Sequence, residues 1–377
     1  MNNGRIHHID VWRFVAISMV IVCHIVGNSH PWYWDTLPGI VWRLKPLGTV
    51  GVQIFFCISG FVICRGLIRE AEISFSVNMA AFYRRRAYRL LPPLAAYMVV
   101  VMVLVSIGVF DVALSQFLQA AAFLCNLHSL GKCGWVLGHT WSLAYEEQFY
   151  LVFPLLFVLL NLTRNRSRLL KIGAGLLALG LICGLSGNFA VWTYIGYFLC
   201  MFIGCGCALY WDKVEPTLQN FPLPVWLMSV VLIPGLSMFA MPTVVQEFLY
   251  PIALPPLICV AVFGTPSRGL IAKYFFANPV LAYLGRISYG IYLLQQLATW
   301  DYGFASPLPT YVLVVATIVV AHYSYKYFEL PLIKHGSTGS SQKKMRSSVR
   351  STADLDAADQ TPLKGVVPPQ KSIDVQR

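Results

Sequence analysis

A cation and an imidazole stand eleven positions apart in the first apolar stretch of the sequence, at Arg13 and His24. Every residue between them is apolar or small, and the run is long enough to cross a bilayer as a helix. Eleven helical steps complete three turns plus about 20° and rise about 16 Å, so both side chains share one face. Because ionisable groups inside a membrane are costly, we interpret the pair as a candidate site. An alternative is structural: Arg13 reaches lipid headgroups and His24 bonds a neighbouring helix.

A second polar stretch runs from residue 139 to residue 150 and carries a carboxylate at a membrane position. Ser142, Glu146 and Tyr150 are spaced by four and share a helix face, whereas Glu147 is rotated by about 100°. Glu146 could orient a histidine of another helix, as general-base pairs require. A pair of interfacial carboxylates, favoured by the dipole at a helix start, is the alternative.

Four arginines occupy six positions before the third apolar run, at residues 84, 85, 86 and 89. Arg85 and Arg86 precede Arg89 by four and three residues, so the three form one cationic face of a helix. The planar guanidinium fork suits pairs of phosphate oxygens, which predicts a polyphosphorylated ligand. A topology anchor that contacts lipid headgroups is the alternative.

Composition places the chain among membrane proteins, since 57% of its 377 residues are hydrophobic and only 12% are charged. The absence of short alternating segments excludes a strand barrel. We predict an all-α polytopic integral membrane protein with about ten transmembrane helices. The predicted spans are 9–27, 48–66, 90–110, 141–161, 169–186, 190–211, 222–240, 247–264, 280–300 and 308–328, with a re-entrant or interfacial helix over 113–127.

The positive charge lies in particular loops and therefore reports topology, not nucleic-acid binding. If the N-terminus is cytoplasmic, the external loops hold only Arg43, Lys45 and Lys132, and the other loop arginines and lysines are internal. This asymmetry predicts that both termini are cytoplasmic and that the number of spans is even.

Composition changes after residue 335, where Ser, Thr, Asp, Gln, Lys and Pro replace the large apolar residues. Such a segment buries too little apolar surface to fold. We predict a transmembrane domain over 1–334 and a disordered polar cytoplasmic tail over 335–377.

The sequence contains ten cysteines, and eight lie within or at the ends of apolar runs, where cysteine behaves as a small hydrophobe. Cys125 and Cys133 flank a loop that could be external, so a disulfide between them is one possibility. No cysteine pair has zinc-type spacing with nearby histidines, and we predict no metal.

Five patches in a fixed order carry a resemblance to a known family. They are residues 9–13 followed by His24, then 51–61, 85–92, 139–150 and 284–293. Over about residues 6–334 the chain resembles the acyltransferase-3 family of integral membrane acyltransferases, in a stand-alone form without a fused esterase-like domain. The resemblance implies a multi-pass protein of the bacterial cytoplasmic (inner) membrane. Its partners would be acyl-CoA, a hydroxyl acceptor and the lipid bilayer, and its oligomeric state stays open.

The resemblance also implies a reaction, the transfer of an acyl group, usually acetyl, from cytoplasmic acyl-CoA to a hydroxyl of a glycan. It implies that His24 and Arg13 form the essential pair and that Glu146 is a further functional position. The family's Arg-x-x-Arg matches Arg86 and Arg89, beside Arg85, and binds the donor. Ser59, His139, Ser142 and Tyr150 lie in the matching patches as supporting residues. Gln295 stands where relatives often carry a histidine.

Two roles for His24 stay open: general base on the acceptor hydroxyl, or transient acyl carrier. Arg13 could bind phosphate or stabilise the developing oxyanion. Two other functions are alternatives to acyl transfer. A polytopic transporter of a glycan or metabolite predicts inverted repeats, which the sequence does not display. An inactive relative that binds glycans or acts as a scaffold would not need Arg13, His24 and Glu146 together.

Overall fold

The computed structural model describes residues 7–27, 43–238, 243–302 and 308–337. Within these ranges the chain is helical and contains no strand, which confirms the all-α prediction. Residues 338–377 lie outside the described part, so the predicted tail stays a prediction there. The last helix continues to Ser337, three residues past the predicted end of the transmembrane domain at residue 334.

Fourteen α-helices, numbered here in chain order, are found in the described residues. They are α1 (His7–Gly27), α2 (Leu47–Ser74), α3 (Met79–Ser106), α4 (Leu114–Ala121), α5 (Trp135–Gly138), α6 (Thr140–Leu159), α7 (Ser167–Leu185), α8 (Phe189–Leu209), α9 (Trp211–Gln219), α10 (Leu223–Met238), α11 (Thr243–Phe263), α12 (Pro279–Arg286), α13 (Ser288–Ala298) and α14 (Leu308–Tyr323). A π-helical turn, Ser324–Glu329, extends α14.

Seven helical stretches of the described chain are long and apolar enough to cross a membrane, or eight if one bent pair, Trp211–Leu218 with Leu223–Leu236, counts as a span. Helix α11 keeps only a shorter apolar part, Phe248–Phe263, and carries three prolines. The predicted span 280–300 is divided at Ile287 into α12 and α13. The predicted interfacial segment 113–127 contains the two-turn helix α4.

Helix α2 lies at the centre of the bundle, and its glycines set how closely its neighbours approach. A side chain on Gly60 would collide with the Met201 carbonyl of α8, and one on Gly204 of α8 would collide with the Cys57 carbonyl of α2. Small residues at helix interfaces permit this backbone approach in membranes, where dispersion contacts replace the hydrophobic effect as the main attraction. Close packing here fixes the position of every side chain that α2 presents.

Contacts of α1 define the two ends of the bundle. Near its C-terminal end, Cys23 lies against Gly48 at the start of α2. Near its N-terminal end, the Asp10 carbonyl lies against Gly285, and the Asp10 carboxylate accepts a hydrogen bond from Arg286 at 3.4 Å. Arg13 therefore belongs to the end that carries Arg286, and His24 to the opposite end.

Cys125 and Cys133 form a disulfide in the loop between α4 and α5. The sequence left this pairing as a possibility. The loop joins the C-terminal end of α3 to the start of α6, at the His24 end of the bundle.

Substitution of two glycines of α2 tests the packing account. Gly60→Ala should destabilise the protein by roughly 1–3 kcal/mol, because the added methyl has no space against α8. Gly66→Ala is the matched control, since nothing lies within 4 Å of a side chain there, and it should be neutral or stabilise by up to about 1 kcal/mol. Thermal unfolding of the detergent-purified protein measures both. Equal melting temperatures for the two variants would contradict the account.

Candidate functional site

Three guanidinium groups and one carboxylate line a single small cavity between α1, α2, α3, α6 and α13. We call it the basic cavity; its volume is about 50 Å³, and its polar lining residues are Arg13, Arg86, Arg89, Ser142, Glu146, Tyr150, Ser288, Tyr289 and Tyr292. The volume admits one or two water molecules and no larger ligand. The sequence placed these groups on separate segments, and the fold brings six of the predicted site residues to one wall.

Glu146 is held by two hydroxyl donors. Ser59 of α2 donates to Oε1 at 2.7 Å, and Tyr150, one turn along α6, donates to Oε2 at 3.0 Å. The second bond confirms the predicted shared face of Glu146 and Tyr150. The Arg86 guanidinium lies over the Tyr150 ring at 4.5 Å. Glu146 thus contacts hydroxyls where the sequence suggested a histidine, and it positions the ring on which Arg86 rests.

The arginines of the cationic face do not act together. Arg86 and Arg89 line the basic cavity, whereas Arg85 forms an ion pair with Glu70 of α2 at 2.8 Å. The Arg13 Nε atom is buried and has no hydrogen-bond partner in the described residues. A buried guanidinium with unused donor capacity is suited to an anionic ligand.

His24 lies outside the lining of the basic cavity and is bound by Gln295 of α13. Its Nδ1 atom is 2.8 Å from the Gln295 Oε1 atom, and its ring meets the edge of Trp135 at a centroid distance of 5.3 Å. The sequence left any role of Gln295 open, because a glutamine in an apolar span does not reveal its partner.

Three further groups fix which nitrogen of His24 carries the proton. The Trp135 carbonyl can only accept, and it accepts from Gln296 Nε2 at 2.8 Å. Gln296 Oε1 then accepts from Gln295 Nε2 at 3.0 Å. Gln295 therefore turns Oε1 toward His24 and accepts from Nδ1–H. The Trp135 carbonyl, Gln296 and Gln295 form what we call the amide chain, and it leaves the lone pair of His24 on Nε2.

A hydroxyl layer lies between the basic cavity and His24. The Ser142 and Tyr292 hydroxyl oxygens are 2.6 Å apart, and Tyr292 donates to the His139 carbonyl at 2.7 Å. Along α13, Ser288, Tyr289 and Tyr292 line the cavity, and Gln295 follows one turn later. We call Ser142, Tyr292 and His139 the hydroxyl layer, and it divides the site into two compartments.

His139 is buried, like Ser142 and Tyr292. Its ring packs against Tyr97 and Tyr292 at centroid distances of 5.3 and 5.4 Å. Neither ring nitrogen has a hydrogen-bond partner in the described residues, and the Val136 carbonyl beside the ring already accepts from Tyr97 at 2.6 Å. The group of His139 that bonds within the layer is its backbone carbonyl, which accepts from Tyr292.

Among the described residues, no group of three or more His, Cys, Asp or Glu side chains could hold a metal ion. Residues that the sequence reasoning missed are Tyr289, Tyr292 and Gln296. Tyr289 and Tyr292 lie in the fifth patch of the resemblance, 284–293, where no role is assigned to them, and the signal for Gln296 is the concentration of polar groups in one apolar span.

Comparison with known proteins assigns this chain to a family. A family described as an acyltransferase domain, acyltransferase-3, matches residues 6–325. The chain belongs to the acyltransferase-3 family. This confirms the resemblance seen in the sequence patches.

Three bacterial relatives illustrate the similarity. A Staphylococcus aureus (strain COL) protein, provisionally named an O-acetyltransferase, is 29% identical over 87% of this chain and 57% of its own length. The peptidoglycan O-acetyltransferase OatA of Listeria monocytogenes is 28% identical over 77% of this chain and 52% of its own. The O-acetyltransferase OatA of S. aureus (strain NCTC 8325 / PS 47) is 27% identical over 77% and 53%. The chain thus spans little more than half the length of these relatives. No solved structure matches it.

Nitrogen NMR of histidine in the purified protein tests the amide chain. Wild-type His24 should be protonated at Nδ1, because Gln295 offers it only an oxygen. Gln295→Leu removes the acceptor and should give a mixture of tautomers, whereas Gln295→Glu keeps an acceptor and should preserve Nδ1–H. The signal that disappears in His24→Gln assigns the resonance. Protonation at Nε2 in the wild type would contradict the conclusion that His24 Nδ1–H donates to Gln295 Oε1.

Proposed function

We propose that this chain is a membrane O-acyltransferase that moves an acyl group, acetyl in the first instance, from cytoplasmic acyl-CoA to a hydroxyl of a cell-surface or exported glycan. The observation that carries the proposal is the basic cavity, in which three arginines from two helices converge below an oriented imidazole. The family supports acyl transfer. The name of the L. monocytogenes relative, a peptidoglycan O-acetyltransferase, supports a glycan acceptor.

We further propose that both termini are cytoplasmic, in a bacterial cytoplasmic membrane. The arginine-rich segments around residues 65–89 and 164–171 belong to the end opposite His24, as positive-inside topology requires. The Cys125–Cys133 disulfide belongs to the His24 end, and disulfides persist outside the reducing cytoplasm. The seven long apolar helical stretches become ten membrane crossings if α10, α11 and the broken α12–α13 unit each cross the membrane once.

Donor binding begins at the basic cavity in this proposal. Coenzyme A carries its phosphates at one end and its thioester at the other, so phosphates on Arg86 and Arg89 leave the thioester to extend toward the hydroxyl layer. Arg13 lies about 16 Å below His24 along α1. It therefore serves the phosphate or pantetheine part of the donor better than an oxyanion beside His24. Because the cavity holds only about 50 Å³, its walls must separate when the donor binds.

The chemical step belongs to His24 Nε2, the atom that the amide chain leaves unprotonated. Nε2 takes the proton of the acceptor hydroxyl as its oxygen bonds to the thioester carbonyl carbon. Collapse of the tetrahedral intermediate breaks the carbon–sulfur bond, and the departing thiolate recovers the proton from His24. The thioester must pass Tyr292 and Ser142 to reach His24, so the hydroxyl layer controls entry and its hydroxyls can donate to the oxyanion.

Transfer from radiolabelled acetyl-CoA in membranes with matched expression tests the donor site. Arg86→Ala and Arg89→Ala should each raise KM for acetyl-CoA by about tenfold or more, because a charge-assisted contact to phosphate is lost. Arg85→Ala is the matched control from the same helix; it should change KM by less than about threefold, since Arg85 is paired with Glu70 and does not line the basic cavity. His24→Ala should abolish transfer.

Two results would contradict the proposal. Equal KM values for the Arg85, Arg86 and Arg89 variants would remove the basic cavity as the donor site. Full transfer by His24→Ala would remove His24 as the base and as an acyl carrier.

A further inference from the structure

A second cavity, larger than the basic cavity, lies between α6 and α8, on a different face of α6 from the basic cavity. We call it the aromatic cleft; it measures about 500 Å³ and is lined by Asn126, Trp141, Tyr145, Phe189, Ala190, Thr193, Tyr194 and Tyr197. Trp141 is in the first turn of α6, and Phe189 is the first residue of α8. Both starts belong to the His24 end of the bundle, so the cleft opens at that end.

Hydrogen bonds make one wall of the cleft rigid. Tyr194 donates to the Asn126 carbonyl at 2.7 Å. The Asn126 and Gln148 side chains exchange two hydrogen bonds, at 2.9 and 3.1 Å. Asn126 follows Cys125 of the disulfide directly. The loop that closes the cleft is thus tied to both α6 and α8.

Other polar groups of the cleft are unused. The Trp141 indole N–H and the Tyr145 and Tyr197 hydroxyls make no hydrogen bond in the described residues, and none of them is among the buried unpartnered atoms. The rings themselves pack against one another: the centroid of the Tyr197 ring is 5.3 Å from the ring centroids of both Trp141 and Tyr145. The half-buried Trp141 and Tyr197 therefore offer two donors to the cleft, whereas Tyr145, only 2% exposed, contributes mainly its ring.

These features favour a sugar as the ligand. Aromatic faces cover the apolar C–H face of a pyranose ring, and a few fixed donors meet its hydroxyl or amide oxygens, the usual composition of a specific small-molecule pocket. No charged side chain lines the cleft, which argues against acyl-CoA. An interfacial aromatic belt would turn its polar tips to the water at the membrane surface; these tips line a cavity between two helices.

The cleft adjoins the basic cavity. Phe56 lines the basic cavity and also contacts Tyr145 and Tyr197, at 6.0 and 5.8 Å between ring centroids. Trp141 precedes Ser142 of the hydroxyl layer in the chain and lies on a different face of α6, rotated by about 100°. Because the cleft and His24 belong to the same end of the bundle, a polymer can occupy the cleft with one sugar while a neighbouring sugar approaches the base.

We propose that the aromatic cleft is a subsite for the acceptor glycan and holds a neutral sugar next to the one that is acylated. This inference rests on the proposed function. It assigns acceptor recognition to α6 and α8, and donor recognition to the arginines of α1 and α3.

Binding of chitotetraose, a neutral tetrasaccharide of N-acetylglucosamine, to the detergent-purified full chain tests the subsite. The double variant Trp141→Phe/Tyr197→Phe keeps an aromatic ring at both positions and removes two donors, so the Kd of chitotetraose should rise about tenfold. Tyr311→Phe is the control, because Tyr311 is an aromatic residue of α14 at the same end, 44% exposed and outside the cleft; its Kd should equal that of the wild type. KM for acetyl-CoA should not change in either variant.

The outcomes separate the subsite from the reaction. Unchanged saccharide binding in the double variant, or binding of neither chitotetraose nor maltotetraose by the wild type, overturns the subsite. Cleft-dependent binding without any acetyl transfer supports the subsite and rejects the proposed function. Transfer with an unchanged acceptor KM in the double variant rejects the subsite alone.

Discussion

Three guanidinium groups in an apolar bundle must be kept away from hydrocarbon, and the rest of the site is arranged by that constraint. An unpaired cation in the membrane interior is costly, so Arg13, Arg86 and Arg89 face one interior cavity with Glu146 as the carboxylate. Glycine contacts hold α2 against α1 and α8, and from α2 Ser59 donates a hydrogen bond to Glu146 of α6. The polar residues of α13 continue from Tyr289 and Tyr292 at the cavity to Gln295 beside His24.

The division of the site into two compartments allows the proposed reaction to keep the donor phosphates on one side and the base on the other. A polyphosphate cannot cross the bilayer core at low cost, but a thioester on a flexible arm can extend past Tyr292. His24, the proposed base, lies on the far side of the hydroxyl layer and is oriented by the amide chain. Preorganisation of this kind lowers the reorganisation needed when charge develops in the transition state. Only the acyl group has to change sides.

The sequence predicted what depends on local periodicity. The helical class, the starts of α1 and α2 and the shared face of Glu146 and Tyr150 all follow from residue spacing. It could not predict which helices are neighbours. Arg85 and Arg86 are equivalent in the sequence pattern, but in the fold Arg85 pairs with Glu70, fifteen residues earlier in the chain. Gln295 meets His24 across 271 residues, and the direction of that bond depends on a backbone carbonyl. The division at Ile287 also escaped the hydropathy pattern, because both halves are apolar.

The most direct test of the account uses sealed vesicles of both orientations, with the glycan acceptor confined to one side. Radiolabelled acetyl-CoA, which does not cross membranes, is added outside. In inverted vesicles the arginine end faces outward, so the account predicts label on the glycan enclosed inside. Right-side-out vesicles should transfer nothing from external acetyl-CoA. Transfer that requires donor and acceptor on the same side would contradict a site whose two compartments open at opposite ends of the bundle.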